Sequence, residues 1–200
     1  NSRIYEVKML SEIKFALEND VEYFERMVDR LEALDSTTTT FINLAYNQSL
    51  FQDSLFLNEE NKGRWYLLRT GIVYLYNSGP YQAIKSSGMD KISNDSLRNL
   101  LVNFYDFELP RHMKITQWYD RDYEEHNSQI SSFLGEAVIE EHDGELKVIK
   151  RFPSDLLQRQ EFIQLLGELR KRARYVGDYI DRMIPEMNDV ISQIDEEIKK

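Results

Sequence analysis

Cysteine is absent from the 200 residues, and histidine occurs three times. Without thiols there is no disulfide, no thiolate zinc site and no cysteine nucleophile. The compartment stays open, since periplasmic and cytosolic proteins both dispense with cysteine. Glycine and proline are scarce, at 8 and 4 residues, which argues against a loop-rich fold and for long, solvated helices. No apolar run approaches the ~20 residues of a membrane span, and no signal peptide is visible. Basic residues are outnumbered, 25 against 35 acidic, for a formal charge of −10. Non-specific nucleic-acid binding needs clustered Lys and Arg to neutralise phosphates, so that class is disfavoured. Also missing are a His-Glu-x-x-His zinc motif, a phosphate loop and a Gly-x-Ser-x-Gly elbow.

What the chain has in quantity is helical periodicity. Between Phe152 and Ile198, apolar residues recur at Phe162, Leu166, Leu169, Ala173, Val176, Ile180, Met183, Met187, Val190, Ile194 and Ile198. Gaps alternating between four and three until the last step mark one buried seam on a long helix. Ser154 stands where its N-cap belongs. Pro185 lacks an amide hydrogen and crowds the carbonyl of Asp181, so a kink or break is expected there. Residues 3–35 read as a matching first helix: Leu10, Leu17, Phe24 and Leu31 repeat at seven, and Ile13, Met27 and Leu34 widen the face. A rod of this length needs partners. The expected fold is mainly α: a single antiparallel helical-bundle domain over 1–200, with the first and last helices forming a stem.

Between those helices the punctuation is uneven. Thr37–Thr40 are poor helix formers and good caps, so the first helix is expected to stop at Asp35-Ser36 and a second to run to about Leu55. Asn58–Gly63 reads as a loop and Arg64–Tyr76 as a third helix. Asn77-Ser78-Gly79-Pro80 signals a turn before a short helix that stops at Gly88 in a left-handed C-cap. Ser93 or Asn94 caps the next helix, with Leu97, Leu100, Leu101, Phe104 and Tyr105 inward. Pro110 pushes Leu109 away from helical angles, so a kink or short break is expected before helix resumes to about Leu134 with Met113, Gln117 or Trp118, and Ile130 inward. Asp143-Gly144 between two short apolar runs is a hairpin signature at 137–150. A lone hairpin is marginal, so it is expected to lie against helices.

Two segments resemble an uncharacterised family of membrane-anchored Gram-negative bacterial proteins. One is Tyr5-Glu6-Val7-Lys8-Met9-Leu10-Ser11-Glu12-Ile13-Lys14, leading to Leu17-Glu18-Asn19-Asp20. The other runs from Ile84-Lys85-Ser86-Ser87-Gly88 through Ile92-Ser93-Asn94 to Leu100-Leu101 and Phe104-Tyr105-Asp106. Members have one N-terminal transmembrane helix followed by a soluble helical domain. The resemblance implies that Asn1 lies just beyond such a helix, trimmed from this chain, and that the domain is held at the inner membrane on its periplasmic side. It implies no catalytic residues.

Candidate sites are few. His126 follows Asp122 by four, with Glu125 adjacent; this spacing begins a metal site or forms an exposed Asp–His pair, and the pair is the simpler reading. No structural metal and no cofactor are expected. Arg170, Lys171, Arg172 and Arg174 form the one basic cluster, read as a solvated face with Glu168 paired to Arg172. Tyr74, Tyr76 and Tyr81, with Trp65 and Tyr66, make the middle aromatic. They serve as core and core rim, or line a ligand pocket to which Ser86 and Ser87 add hydroxyls.

The leading expectation is a non-enzymatic, membrane-tethered domain binding a protein or small-molecule partner at the cell envelope, with homo-oligomers open and nucleic acid excluded. A sensor-type bundle holding a small molecule is the alternative, and a metal-dependent envelope hydrolase using His126 the third.

Overall fold

The computed structural model describes residues 2–47, 59–133, 137–150, 153 and 155–200. The fold is mainly α, an antiparallel helical bundle with long first and last helices and, among the described residues, one two-stranded sheet. Contacts group into two compact units: Asn1–Asp29, Ile72–Tyr119 and Val176–Lys200 form the first, Arg30–Gly71 and Asp120–Tyr175 the second. Helix α1 (Ser2–Tyr46) starts in the first unit and ends in the second; α7 (Gln160–Asp181) starts in the second and ends in the first. Neither unit is therefore a contiguous stretch of chain.

The first unit also holds α3 (Gly79–Ser87), α4 (Asp95–Asn103), α5 (Leu109–Asp120) as far as Tyr119, and α8 (Met183–Ile198). Its core is the pair of predicted stripes: Leu10, Leu17 and Phe24 of α1 are fully buried, as are Val176, Ile180, Met187 and Ile194. The pairing is antiparallel. Arg3 binds Glu197, while Lys14, three turns further along α1, meets Asp195 at 2.7 Å. The break expected from Pro185 is present. Arg182 separates α7 from α8, one turn before the proline. Asn94 caps α4 as expected, its side chain accepting from the amides of Ser96 and Leu97.

The second unit holds the end of α1, α2 (Glu59–Leu68), α6 (Tyr123–Phe133), the hairpin β1 (Ala137–His142) and β2 (Glu145–Lys150), and most of α7. Trp65 is buried between Phe41 and Phe162, with ring centroids at 4.9 and 5.7 Å. The hairpin pairs Ala137 with Lys150 through His142 with Glu145. Asp143 and Gly144 have φ of 53° and 79°, the two positive values of a type I′ turn.

Several local expectations are corrected. The Thr run does not end the first helix; α1 continues through it to Tyr46. Thr38 donates to the carbonyls of Leu34 and Asp35, and Thr40 to that of Ser36, so their hydroxyls are satisfied inside the helix. Thr37 and Thr38 are also buried, and that burial outweighs a propensity cost of at most ~0.7 kcal/mol per residue. The third helix sits earlier than expected: residues from Glu59 belong to α2, which stops at Leu68. Beyond it, β-branched Thr70, Ile72 and Val73 flank Gly71 and favour irregular chain. A Cβ at Gly71 would come within 2.6 Å of the Tyr123 ring, so the glycine allows that ring to close down.

Pro110 breaks nothing. Leu109 keeps helical angles (φ −59°, ψ −48°), and Phe104–Glu108 form a π turn in which the Leu109 amide reaches Phe104. The wider turn accommodates a proline that has no amide to donate. It also shifts the buried stripe by one residue. Leu109, His112 and Thr116 face inward, while Met113 is half-buried and Gln117 and Trp118 are exposed. The helix expected to reach Leu134 is divided at Arg121–Asp122. Gly88 has φ 113° and ψ 117°, outside the left-handed helical region expected of it. Ile139 and every side chain from Glu141 to Val148 is exposed rather than packed on helices. The Ser154 cap, the run from Gln48 to Leu55, Asn58 and Leu134 lie outside the described residues.

Candidate functional site

Of the tyrosines singled out in the sequence, Tyr74, Tyr76 and Tyr81 belong to the first unit and Tyr66 to the second. Tyr74 is buried against Phe24 and His112, with ring centroids at 4.9 and 5.4 Å. His112 stacks on Tyr179 at 4.2 Å. Its Nε2 lies 2.6 Å from the Tyr179 carbonyl, which only accepts, so Nε2 carries the proton. Nδ1 is then the acceptor for the Tyr74 hydroxyl at 2.6 Å. Burial holds His112 below its ordinary pKa, against the opposing hydrogen bond to Tyr179, so it is neutral at pH 7. Tyr76 packs edge-on to Tyr74 at 6.3 Å and is half-buried.

Tyr81 is fully buried and stacked on Tyr105 at 4.5 Å. Its hydroxyl donates to Asp106, which Lys85 also grips at 2.7 Å. Burial pushes both phenols well above the usual tyrosine range. Ser87 shares a hydrogen bond with Tyr5 and donates to the carbonyl of Ile84, while Ser86 is exposed. The five residues Tyr74, Tyr76, Tyr81, Ser86 and Ser87 thus divide between two buried clusters and the C-terminal end of α3.

A third polar cluster escaped sequence reasoning. Glu6 is buried and accepts from the amide and hydroxyl of Ser93, each at 2.8 Å, and from Arg3 at 2.9 Å. Glu197 is buried and accepts from Asn94 at 2.7 Å, Lys200 at 2.9 Å and Arg3 at 3.2 Å. Burial works to raise the Glu6 pKa, but the bonds from Ser93 and Arg3 outweigh it and hold the carboxyl below its usual range. The bonds from Asn94 and Lys200 do the same for Glu197. The Ser93-Asn94 pair marked this place in the sequence as a helix cap; its bridging role depends on residues about a hundred positions away.

In the second unit the basic cluster is not a uniform solvated face. Arg170 and Arg174 converge on Asp35, at 3.2 and 3.0 Å. Arg172 is buried rather than paired with Glu168. It binds Asp120 at 3.2 Å, donates to the Thr70 carbonyl and lies over the Tyr123 ring at 5.5 Å. Asp122 pairs with Arg121 rather than with His126. His126 has a buried Nδ1 without a hydrogen-bond partner among the described residues, and burial, then the charge of Arg172, lowers its pKa. Among the described residues no three His, Asp or Glu side chains come together as a metal site.

Two features of this unit open to solvent. One is a cleft of about 460 Å³ between α6 and α7, lined by His126, Gln129, Ser132 and Phe133 on one side and by Glu161, Gln164, Leu165 and Glu168 on the other. The second is a face of the hairpin. Alternation along the strands puts Ile139, its partner Val148 and Leu146 on the same side. They are 68%, 69% and 76% exposed.

No helix among the described residues is long and apolar enough to cross a membrane. No family model matches the chain, and no curated protein or solved structure matches it.

Proposed function

We propose that the protein is a non-enzymatic, membrane-tethered helical domain that binds a protein partner at the cell envelope through its β-hairpin. The observation that carries this reading is the apolar hairpin face. Three large aliphatic side chains, each more than two-thirds exposed, share one side of a sheet that has no third strand among the described residues. Two strands alone are marginally stable, and an added strand supplies both backbone hydrogen bonds and a partner for that face. Glu140, Glu141, Asp143 and Glu145 crowd the turn, which favours a partner segment that is extended, alternately apolar, and basic where it meets the turn. The membrane tether rests on the resemblance of Tyr5–Asp20 and Ile84–Asp106 to membrane-anchored proteins. The non-enzymatic reading is supported by Glu6, Glu197, Tyr74 and His112 of the first unit, whose side chains are taken up by hydrogen bonds within the fold.

The test is affinity purification of the membrane-tethered protein from its native envelope, as wild type and as Ile139→Thr/Val148→Thr. These exposed substitutions keep β-branching and remove apolar surface. A partner retained by the wild type and lost from the double variant supports the reading; equal recovery by both rejects it.

A further inference from the structure

We infer that the cleft between α6 and α7 is a binding site for a linear aliphatic polyamine. At about 460 Å³ the cleft has the size of a small-ligand site. Phe133 and Leu165 give it an apolar floor, and the Phe133 ring is held edge-on to Phe162 at 5.3 Å. Gln129, Ser132 and Gln164 add neutral donors and acceptors. The charge is one-sided. Glu161 and Glu168 line the cleft, and neither makes an ion pair or side-chain hydrogen bond with a described residue. His126 contributes no opposing charge, because burial and the nearby Arg172 keep it neutral at pH 7. Arg172 itself is engaged by Asp120.

Spacing decides between a metal ion and an organic cation. Glu161 and Glu168 are seven residues apart on one helix, on the same face and about 10 Å apart along its axis. One metal ion does not span that gap, and no third ligand joins either carboxylate among the described residues. A chain with an ammonium group towards each end does span it. Its methylenes then lie over Phe133 and Leu165, where an aromatic face also favours the cation. This site is separate from the hairpin, and the two readings stand or fall independently.

Isothermal titration of the full chain in about 150 mM salt, where the Debye length is roughly 8 Å, suppresses general attraction to an acidic protein. The probes are spermidine, 1,6-diaminohexane, hexylamine and Mg²⁺. The expected result is saturable 1:1 binding of the two polyamines, with hexylamine weaker by about tenfold. Glu161→Gln and Glu168→Gln are each expected to weaken spermidine by about tenfold, while Glu22→Gln, an exposed carboxylate of the first unit, changes nothing. Both cleft positions are exposed, so circular dichroism should show an unchanged fold. Non-saturable binding, equal affinity in the Glu161→Gln/Glu168→Gln variant, or equal affinity for Mg²⁺ would overturn the assignment.

Discussion

Tyr81 and Tyr105 lie ring on ring, yet their hydroxyls have opposite surroundings. The Tyr81 hydroxyl donates to Asp106 at 3.0 Å, whereas the buried Tyr105 hydroxyl has no hydrogen-bond partner among the described residues. A buried, unsatisfied hydroxyl is a cost, and a satisfied one a modest gain. Tyr105→Phe should therefore raise stability by about 1 kcal/mol and Tyr81→Phe lower it by a similar amount, read from urea unfolding. Equal losses in both would show that the two environments are alike.

His112 and His126 each contribute a pH dependence near neutrality. His112 and His126 have folded-state pKa values below the ordinary value of about 6.5. Below that pH the unfolded chain takes up protons that the folded one refuses, so stability is full above about pH 6.5 and falls as pH drops towards the folded values. Each histidine contributes a slope of up to about 1.4 kcal/mol per pH unit. His126→Gln, at a half-buried position, should flatten unfolding midpoints measured between pH 7 and 5. Glu6 and Glu197 act lower down. Their folded pKa values are depressed, so their contribution is present above the ordinary carboxylate range and is lost as pH falls through the folded values. At this scale the sequence was legible for carbon and poor for charge. Heptad spacing placed Leu10, Phe24, Leu166 and Ile180 inside, but nothing local to Arg172 says that Asp120, Thr70 and Tyr123 surround it.

Helix α1 and the α4–α5 segment show how elements override local signals. Four threonines looked like punctuation because propensity is a weak term; burial of two of them and back-bonding of their hydroxyls kept the helix intact. Pro110 was read as a kink or short break, and the chain instead stays helical through Leu109. The π turn absorbs it, and in doing so brings Leu109, His112 and Thr116 into line with Leu97, Leu101 and Phe104. Removing one residue from the π turn while relieving the proline should therefore leave both stripes aligned. Deletion of Phe107, an exposed residue, together with Pro110→Ala should fold with near wild-type helicity. Deletion of the exposed Asn99 from the regular helix α4 should unfold the first unit, because it rotates one stripe against the other by about 100°. Circular dichroism melts of the two deletions distinguish the cases; similar melts would mean that the π turn does not set the register. The hairpin turn, by contrast, was fully legible. Asp143-Gly144 meets a strictly local requirement for two positive φ values.

For the whole molecule, the order of the helices and the antiparallel return of the last one were readable, because a long apolar seam must be covered along its length. The grouping into two units was not, since each is assembled from separated stretches of chain and no linker marks a boundary. The surface was the least legible part. The hairpin was expected to lie against helices, and the structure instead turns Ile139, Leu146 and Val148 to solvent. That exposed face bears most directly on function. The decisive measurement is site-specific photo-crosslinking in the native envelope, with the photoreactive residue at Leu146 and, as a control, at Tyr66, which is equally exposed on α2. A discrete crosslinked partner at position 146, mapping to an extended, basic segment and abolished by Ile139→Asp/Val148→Asp, is the result predicted. A pattern at position 146 identical to that at position 66, or unchanged by the aspartates, would contradict partner binding through the hairpin.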